Sequence, residues 1–340
     1  AASGADEAIT YDTLKAEGLA QDWPRVLEKQ MRMQAIAYIG AMSVGAAVYD
    51  PVLMQGLVNL LGLNIILTRN LTLRFPLFLT LIMAVLTLLT TLRLQEGKQP
   101  FQSEQNPQGN GRQSMLQALK LTLQAGSWIL RTPFALVVIL AGLIFDNCIR
   151  MVITLCSQYY RLISLPEAAF GLISSGFAVL GLLIPRMALK MVNRLSPASN
   201  LAVMTIVAIT GLVGMTFFLP VIGLLPVALL SSAMYMGRFF QSHYLNRITA
   251  SYQRATVLSF RGLSFNLAYG IIGVLYSLLL AYLRPQAMLT HADGGGIEIE
   301  NVVFIKSMGW FPWYFILTMT ILLIYARWRL RETDVHKKPG

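Results

Sequence analysis

The chain has 340 residues, of which 55% are hydrophobic and only 13% charged, and its formal net charge is +11. Soluble domains carry about 25% charged residues, so this balance excludes an ordinary water-soluble fold and points to an integral membrane protein. The basic excess would suit a nucleic-acid binder, but the basic residues gather in alternate loops, which is the pattern of membrane topology.

Crossing a hydrocarbon layer of about 30 Å takes about 20 helical residues. Residues 1–20, "AASGADEAITYDTLKAEGLA", are helical in composition but too polar to cross alone, and they show neither an initiator Met nor a signal-peptide pattern. A first span is expected over 33–50. The segment 51–67, "PVLMQGLVNLLGLNIIL", is expected to be an external extension or interfacial helix, because a further span here would put Arg25, Lys29 and Arg32 outside. A second span is expected over 75–92.

From 94 to 131 the character changes. "QEGKQPFQSEQNPQGNGRQS" is polar and punctuated by Pro and Gly, as in a flexible cytoplasmic linker. "MLQALKLTLQAGSWILR" after it is either an amphipathic surface helix with Trp128 at headgroup level or the cytoplasmic end of the next span. Six further spans are expected at 134–157, 167–185, 199–219, 221–243, 256–283 and 308–328. Runs such as "FALVVILAGLIF" are continuous and not alternating, so the fold class is all-α, a polytopic helix bundle of about eight spans. Cys148 and Cys156 fall on one expected helix about 12 Å apart, too far for a disulfide.

Alternate loops place Lys15, Arg25, Lys29, Arg32, Arg93, Lys98, Arg112, Lys120, Arg131, Arg186, Lys190, Arg194, Arg247, Arg254 and the basic tail on one side. Arg69, Arg74, Arg161, Arg284 and Lys306 fall on the other. By the positive-inside rule the crowded side is cytoplasmic, with both termini there.

Asp146 and Arg150 stand out within "AGLIFDNCIRMVIT". The 134–157 helix is about 36 Å long, so Asp146 falls near its middle, where a charge costs about 3 kcal/mol. Arg150, one turn on, shares its face and partly neutralises it. The pair is either a structural ion pair fixing helix packing, or a protonatable, substrate-facing group in a midplane cavity. Arg238 and Arg261 lie nearer the expected cytoplasmic helix ends, where long side chains reach out to the interface; the alternative is a cationic lining at the inner mouth of a cavity, joined by Gln241, His243 and Asn266. Gly171, Gly176, Gly181, Gly262, Gly270 and Gly273 are expected to allow close helix approach. "THADGGGIEIEN" (290–301) is expected to be an external loop, and no metal cluster, phosphate-cradling loop or nucleophile–base pair is visible, so no cofactor is expected.

Three stretches resemble bacterial transporters of the major facilitator superfamily. "SGADEAITYDTLK" is similar to the cytoplasmic end of the fourth span in one branch, "NLTLRFPLFLT" to the start of the sixth, and "YLNRITASYQRATVLSFRGLSFNLAYG" to the junction of the tenth and eleventh. The loop "RMALKMVNRLSP" is a degenerate version of the family's gating motif, with basic residues but no acidic one. In that register the chain lacks the first three spans and part of the fourth. Residues 1–93 would be the remnant of the first half-bundle, 94–131 the linker, 132–332 the six-helix second half, and 333–340 a cytoplasmic tail.

The resemblance implies a secondary active transporter in the bacterial cytoplasmic membrane, not an enzyme. It would move a small organic molecule, a drug or metabolite, outward by alternating access coupled to protons, as a monomer in contact with lipid. It also implies inner-gate contacts at Asp12, Arg186 and Arg254, while Phe145, Met151, Met234, Tyr235 and Met236 would suit a tolerant apolar pocket. The rivals are a membrane-embedded enzyme acting on a lipid-linked substrate and a non-transporting fragment. The enzyme would be expected to cluster His, Asp or Glu at one membrane face, whereas the three histidines here are scattered.

Overall fold

A computed structural model describes residues 2–49, 51–60, 62, 69–72, 74–92, 111–166, 169–290 and 296–335. The regular structure among them is entirely helical. The first half comprises α1 (Ala2–Ala16), a 3₁₀ turn (Ala20–Asp22), α2 (Trp23–Tyr49), α3 (Pro51–Leu60), α4 (Arg69–Thr72) and α5 (Phe75–Leu92). The remainder comprises α6 (Gly111–Arg131), α7 (Pro133–Thr154), α8 (Cys156–Leu162), α9 (Phe170–Ala178), α10 (Leu180–Arg194), α11 (Pro197–Met215), α12 (Leu224–Ile248), α13 (Ser251–Thr290), α14 (Gly296–Met308) and α15 (Trp310–Val335). Residues 93–110, which hold most of the expected flexible stretch 95–114, lie outside the described residues, as do His291 and Asp293, while 111–114 open α6 as helix.

Local chemistry sets several boundaries. Pro133 and Pro197 occupy the first turns of α7 and α11, where the missing N–H is not needed. Ser196 caps α11 by accepting the Ser199 N–H at 3.2 Å. Thr132 interrupts the chain between α6 and α7, so "MLQALKLTLQAGSWILR" belongs to a helix of its own. That helix docks on α13 through Ala125 and Ile129, which pack with Val257 and Leu258. Leu155 ends α7, and the two buried cysteines therefore fall on separate helices instead of one. The 290–301 stretch is corrected too: from Gly296 onward it is helical, and Glu300 meets Arg284 at 2.8 Å.

Six segments are long and apolar enough to cross a membrane: Phe75–Leu92, Pro133–Thr154, Phe170–Arg194, Pro197–Met215, Ser251–Thr290 and Gly296–Arg329. The other two expected spans, 33–50 and 221–243, are helical over 33–49 and 224–243, within α2 and α12, but fall outside this group. The reason is their polar cargo. Arg32 and Gln34 stand at the start of the α2 stretch, and Arg238, Gln241 and His243 lie within the α12 one.

α7 runs through the middle of the assembly. Its Phe145, Ile149 and Val152 join Leu212 of α11, Leu230 and Phe239 of α12 and Phe315 of α15 in the main core. Phe145 meets Phe315 edge to face, with ring centres 5.0 Å apart. α5 is the opposite case, with no buried residue along its length.

One end of the bundle gathers helix ends that carry Lys15, Arg131, Arg194 and Arg247. Phe134 of α7 and Tyr244 of α12 have ring centres 6.0 Å apart there, Asn200 of α11 reaches the same Tyr244, and the end of α1 meets the start of α13. We call this the basic end.

Of the glycines expected to permit close packing, only Gly181 has neighbours within reach, 2.7 Å from Ala35 and 3.1 Å from Tyr235 as measured to a Cβ built on it. The tightest other approaches are at Gly142, Gly211, Gly214 and Gly223. A Cβ at Gly211 would stand 2.8 Å from Leu230 and 3.1 Å from the Pro226 carbonyl oxygen. Gly211→Ala is therefore expected to cost about 1–3 kcal/mol as overpacking between α11 and α12. Thermal unfolding in detergent reads this, and an unchanged midpoint would contradict the close approach.

Candidate functional site

The candidates come from three helices that converge on one space. α7 supplies Asp146 and Arg150, α12 supplies Arg238 and Gln241, and α13 supplies Arg261 and Asn266, and all of them line a single cavity of about 650 Å³. α1 and α2 close the opposite side with Asp6, Glu7, Gln30, Gln34 and Tyr38. The cavity thus lies between helices from both sides of the linker.

Asp146 Oδ2 lies 2.5 Å from Arg150 Nη2. Arg150 also donates from Nη1 to Asn266 Oδ1 at 3.1 Å and sits over the Tyr269 ring, 5.0 Å from its centre. The Tyr269 hydroxyl is in turn 2.9 Å from Thr154 Oγ1. Arg150 therefore ties α7 to α13 while offsetting the Asp146 charge. Both members of the pair border the cavity, so the pair is not sealed inside packed side chains.

The expectation that Arg261 extends outward to the interface is corrected. Arg261, 17% exposed at its side chain, points to Glu7 Oε2 at 3.4 Å. Arg238 borders the same cavity and has no acidic partner among the described residues. Arg261 turns inward because a fixed carboxylate lies within reach, whereas Arg238 is exposed where it borders the polar space.

Glu7 is the residue that reading the sequence missed. Its Oε1 accepts hydrogen bonds from the Ser242 hydroxyl and, at 2.5 Å, from Asn246 Nδ2. Together with Arg261 these donors join α1 to α12 and α13 around one buried carboxylate. A signal was present: Glu7 falls on the same helical stripe as Ala8 and Tyr11, which are both buried.

At the basic end, Asp12 and Arg254 form an ion pair that joins α1 to α13. Arg254 is 1% exposed. It donates to the Thr249 carbonyl at 2.5 Å and lies 4.4 Å from the centre of the Tyr11 ring. The guanidinium so satisfies a helix-end carbonyl, a carboxylate and an aromatic face together. Arg186 of α10 finds its acid on another helix, with Nε 3.5 Å from Glu28 Oε1 of α2. Glu28 also meets Arg32 at 3.3 Å.

The apolar residues singled out from sequence divide. Phe145, Met151 and Met236 are core, whereas Tyr235 borders the polar cavity. Tyr235 and Met234 line a smaller cavity of about 290 Å³ that shares Tyr38 and Arg238 with the larger one. His243 is buried against Tyr244 and does not line the polar cavity. Among the described residues, no group of His, Cys, Asp and Glu is placed to hold a metal ion.

No protein-family model, curated protein or solved structure matches this chain.

Proposed function

We propose that the protein is a secondary active transporter of the major facilitator type, carrying a small organic molecule by alternating access. The observation that carries this reading is the polar cavity: six ionisable or amide side chains from α7, α12 and α13 meet α1 and α2 inside an otherwise apolar bundle. Charged groups inside a membrane bundle mark substrate or ion paths, and sites between two helical halves suit rocking motions.

In this reading the Asp12–Arg254 and Glu7–Arg261 pairs hold the basic end shut, and both must part for the cavity to open there. The carboxylates Glu7 and Asp146 facing the cavity support proton coupling, and the reading takes the protein as a monomer exporting across a bacterial cytoplasmic membrane. The termini would lie on the cytoplasmic side with the basic loops.

Gln30→Cys provides a test that needs no knowledge of the substrate, since Gln30 borders the cavity and both native cysteines are buried. In oriented vesicles a membrane-impermeant maleimide is expected to react with this cysteine from either face, with the ratio of the two rates moving as pH changes. Reaction from one face only, under every condition tried, would rule out alternating access.

A further inference from the structure

The three arginines on the polar cavity differ in what they hold. Arg150 stands 2.5 Å from Asp146 and Arg261 3.4 Å from Glu7, so each has its charge matched within the protein. Arg238 has no acidic partner among the described residues, and it is exposed where it borders the cavity. A ligand can therefore reach it. A cation left unmatched in a mostly apolar bundle favours an anion beside it.

Arg238 also borders the smaller cavity, of about 290 Å³, and there it is the only charged residue in the wall. Asp6, the remaining acid on the polar cavity, does not border this one. The wall divides by chemistry. Ser231, Tyr235 and Arg238 recur along α12 at helical spacing, so they form one polar stripe about 10 Å long. Tyr38 of α2 and Ser157 of α8 add hydroxyls, whereas Phe170 and Phe177 of α9 and Val227 of α12 supply apolar surface. Tyr235 is fixed by a close approach to α10: a Cβ on Gly181 would stand 3.1 Å from its hydroxyl oxygen. Guanidinium and hydroxyl groups both donate, and a carboxylate accepts from either. One cation matches one negative charge, which favours a carboxylate over a doubly charged phosphate. The volume lies at the lower end of small-molecule sites, so the attached body is small.

We propose that Arg238 and the smaller cavity bind a small organic monoanion, a carboxylate on an aromatic or branched aliphatic body. The carboxylate meets the Arg238 guanidinium where the two cavities join, beside the hydroxyls of Tyr38 and Tyr235, and the body packs among Phe170, Phe177 and Val227. The binding site stands on the two cavities and Arg238. That the bound anion is the transported cargo rests on the transport reading.

The probe is 4-azidobenzoate, with the uncharged 4-azidobenzamide as control, irradiated with the full chain in phosphatidylcholine nanodiscs. Benzoate adducts are expected on residues 153–160, 170–178 and 227–238, about tenfold above amide adducts, and unlabelled benzoate should compete them away where equal chloride does not. Arg238→Gln should bring carboxylate and amide labelling level, and Arg238→Lys should keep part of the preference. Where Arg238→Gln does not fold, Ser157→Asp, which adds an acid to the same wall at an exposed position, should cut the benzoate adducts about tenfold instead. Equal labelling by the two probes in the unaltered protein, or adducts spread over the exposed α5 without competition, overturns the site. Competition by chloride as strong as by benzoate reduces it to an inorganic-anion site and overturns the organic ligand. Labelling without exchange of radiolabelled benzoate across proteoliposomes keeps the site and overturns the cargo. Labelling is read without transport, and the accessibility of Gln30→Cys is read without any anion, so the two readings fail separately.

Discussion

Replacing Arg254 by alanine is expected to destabilise the bundle by about 3–5 kcal/mol, the cost of removing one partner of a buried ion pair and stranding the other. Three losses combine. Asp12 keeps a largely buried carboxylate with no cation, the Thr249 carbonyl loses its donor, and the Tyr11 ring loses the guanidinium stacked on it. Arg254→Lys should recover only part of this, because an ammonium cannot serve the carboxylate, the carbonyl and the ring face at once. Asp12→Asn should cost less than Arg254→Ala, and the two changes together should cost less than their sum. In the transport reading the freed α1 and α13 part at the basic end, so Gln30→Cys should react faster from that face. Denaturation in detergent decides the stability claim. A loss under about 0.5 kcal/mol, the scale of ordinary surface changes, would show that the contact does not hold the two segments together.

Glu7→Gln is expected to abolish the pH response of cavity accessibility, and to do so more completely than Asp146→Asn. The two carboxylates differ in what they connect. Asp146 pairs with Arg150 on its own helix, so changing it leaves the contacts between the two segments in place. Glu7 binds Ser242, Asn246 and Arg261, which lie on the far side of the linker. Removing its charge weakens the hold between the two segments directly. Glutamine keeps an acceptor for Ser242 and Asn246, so the protein should still fold, at a cost of about 1–3 kcal/mol for the lost charge on Arg261. The maleimide rates at Gln30→Cys from each face, measured across pH for both variants, provide the comparison. If accessibility in Glu7→Gln still follows pH while Asp146→Asn is flat, the assignment is reversed.

The helices were legible in the sequence because long apolar runs in lipid have few alternatives to helix. Asp146 and Arg150 were legible for a related reason: a charge inside "AGLIFDNCIRMVIT" contradicts its surroundings. Glu7 was hidden because α1 is polar enough to pass for a surface helix, and its partners lie more than two hundred residues along the chain. A long separation along the chain also hid the acid opposite Arg186, which is Glu28. The degenerate motif seemed to lack a counter-charge, and Glu28 of α2 supplies one. Positions of small residues were legible, but which of them a neighbour crowds depends on helix rotation. Gly262, Gly270 and Gly273 face open space, while Gly142 and Gly211 take the close contacts. The break at Leu155 had no Pro or Gly to announce it.

The polar side chains that α2 and α12 turn toward the cavity, Gln30 and Gln34 from one and Arg238 and Gln241 from the other, also bear on how the chain is assembled. Arg238, near the middle of α12, opposes independent partitioning into lipid by about 3 kcal/mol, so α12 is ill suited to leave the translocon alone. α12 is followed after two residues by the long, apolar α13, and the pair is suited to insert as one hairpin, with the second arm drawing in the first. In such a hairpin the helix that lines the polar interior depends on its oilier neighbour to reach the bilayer.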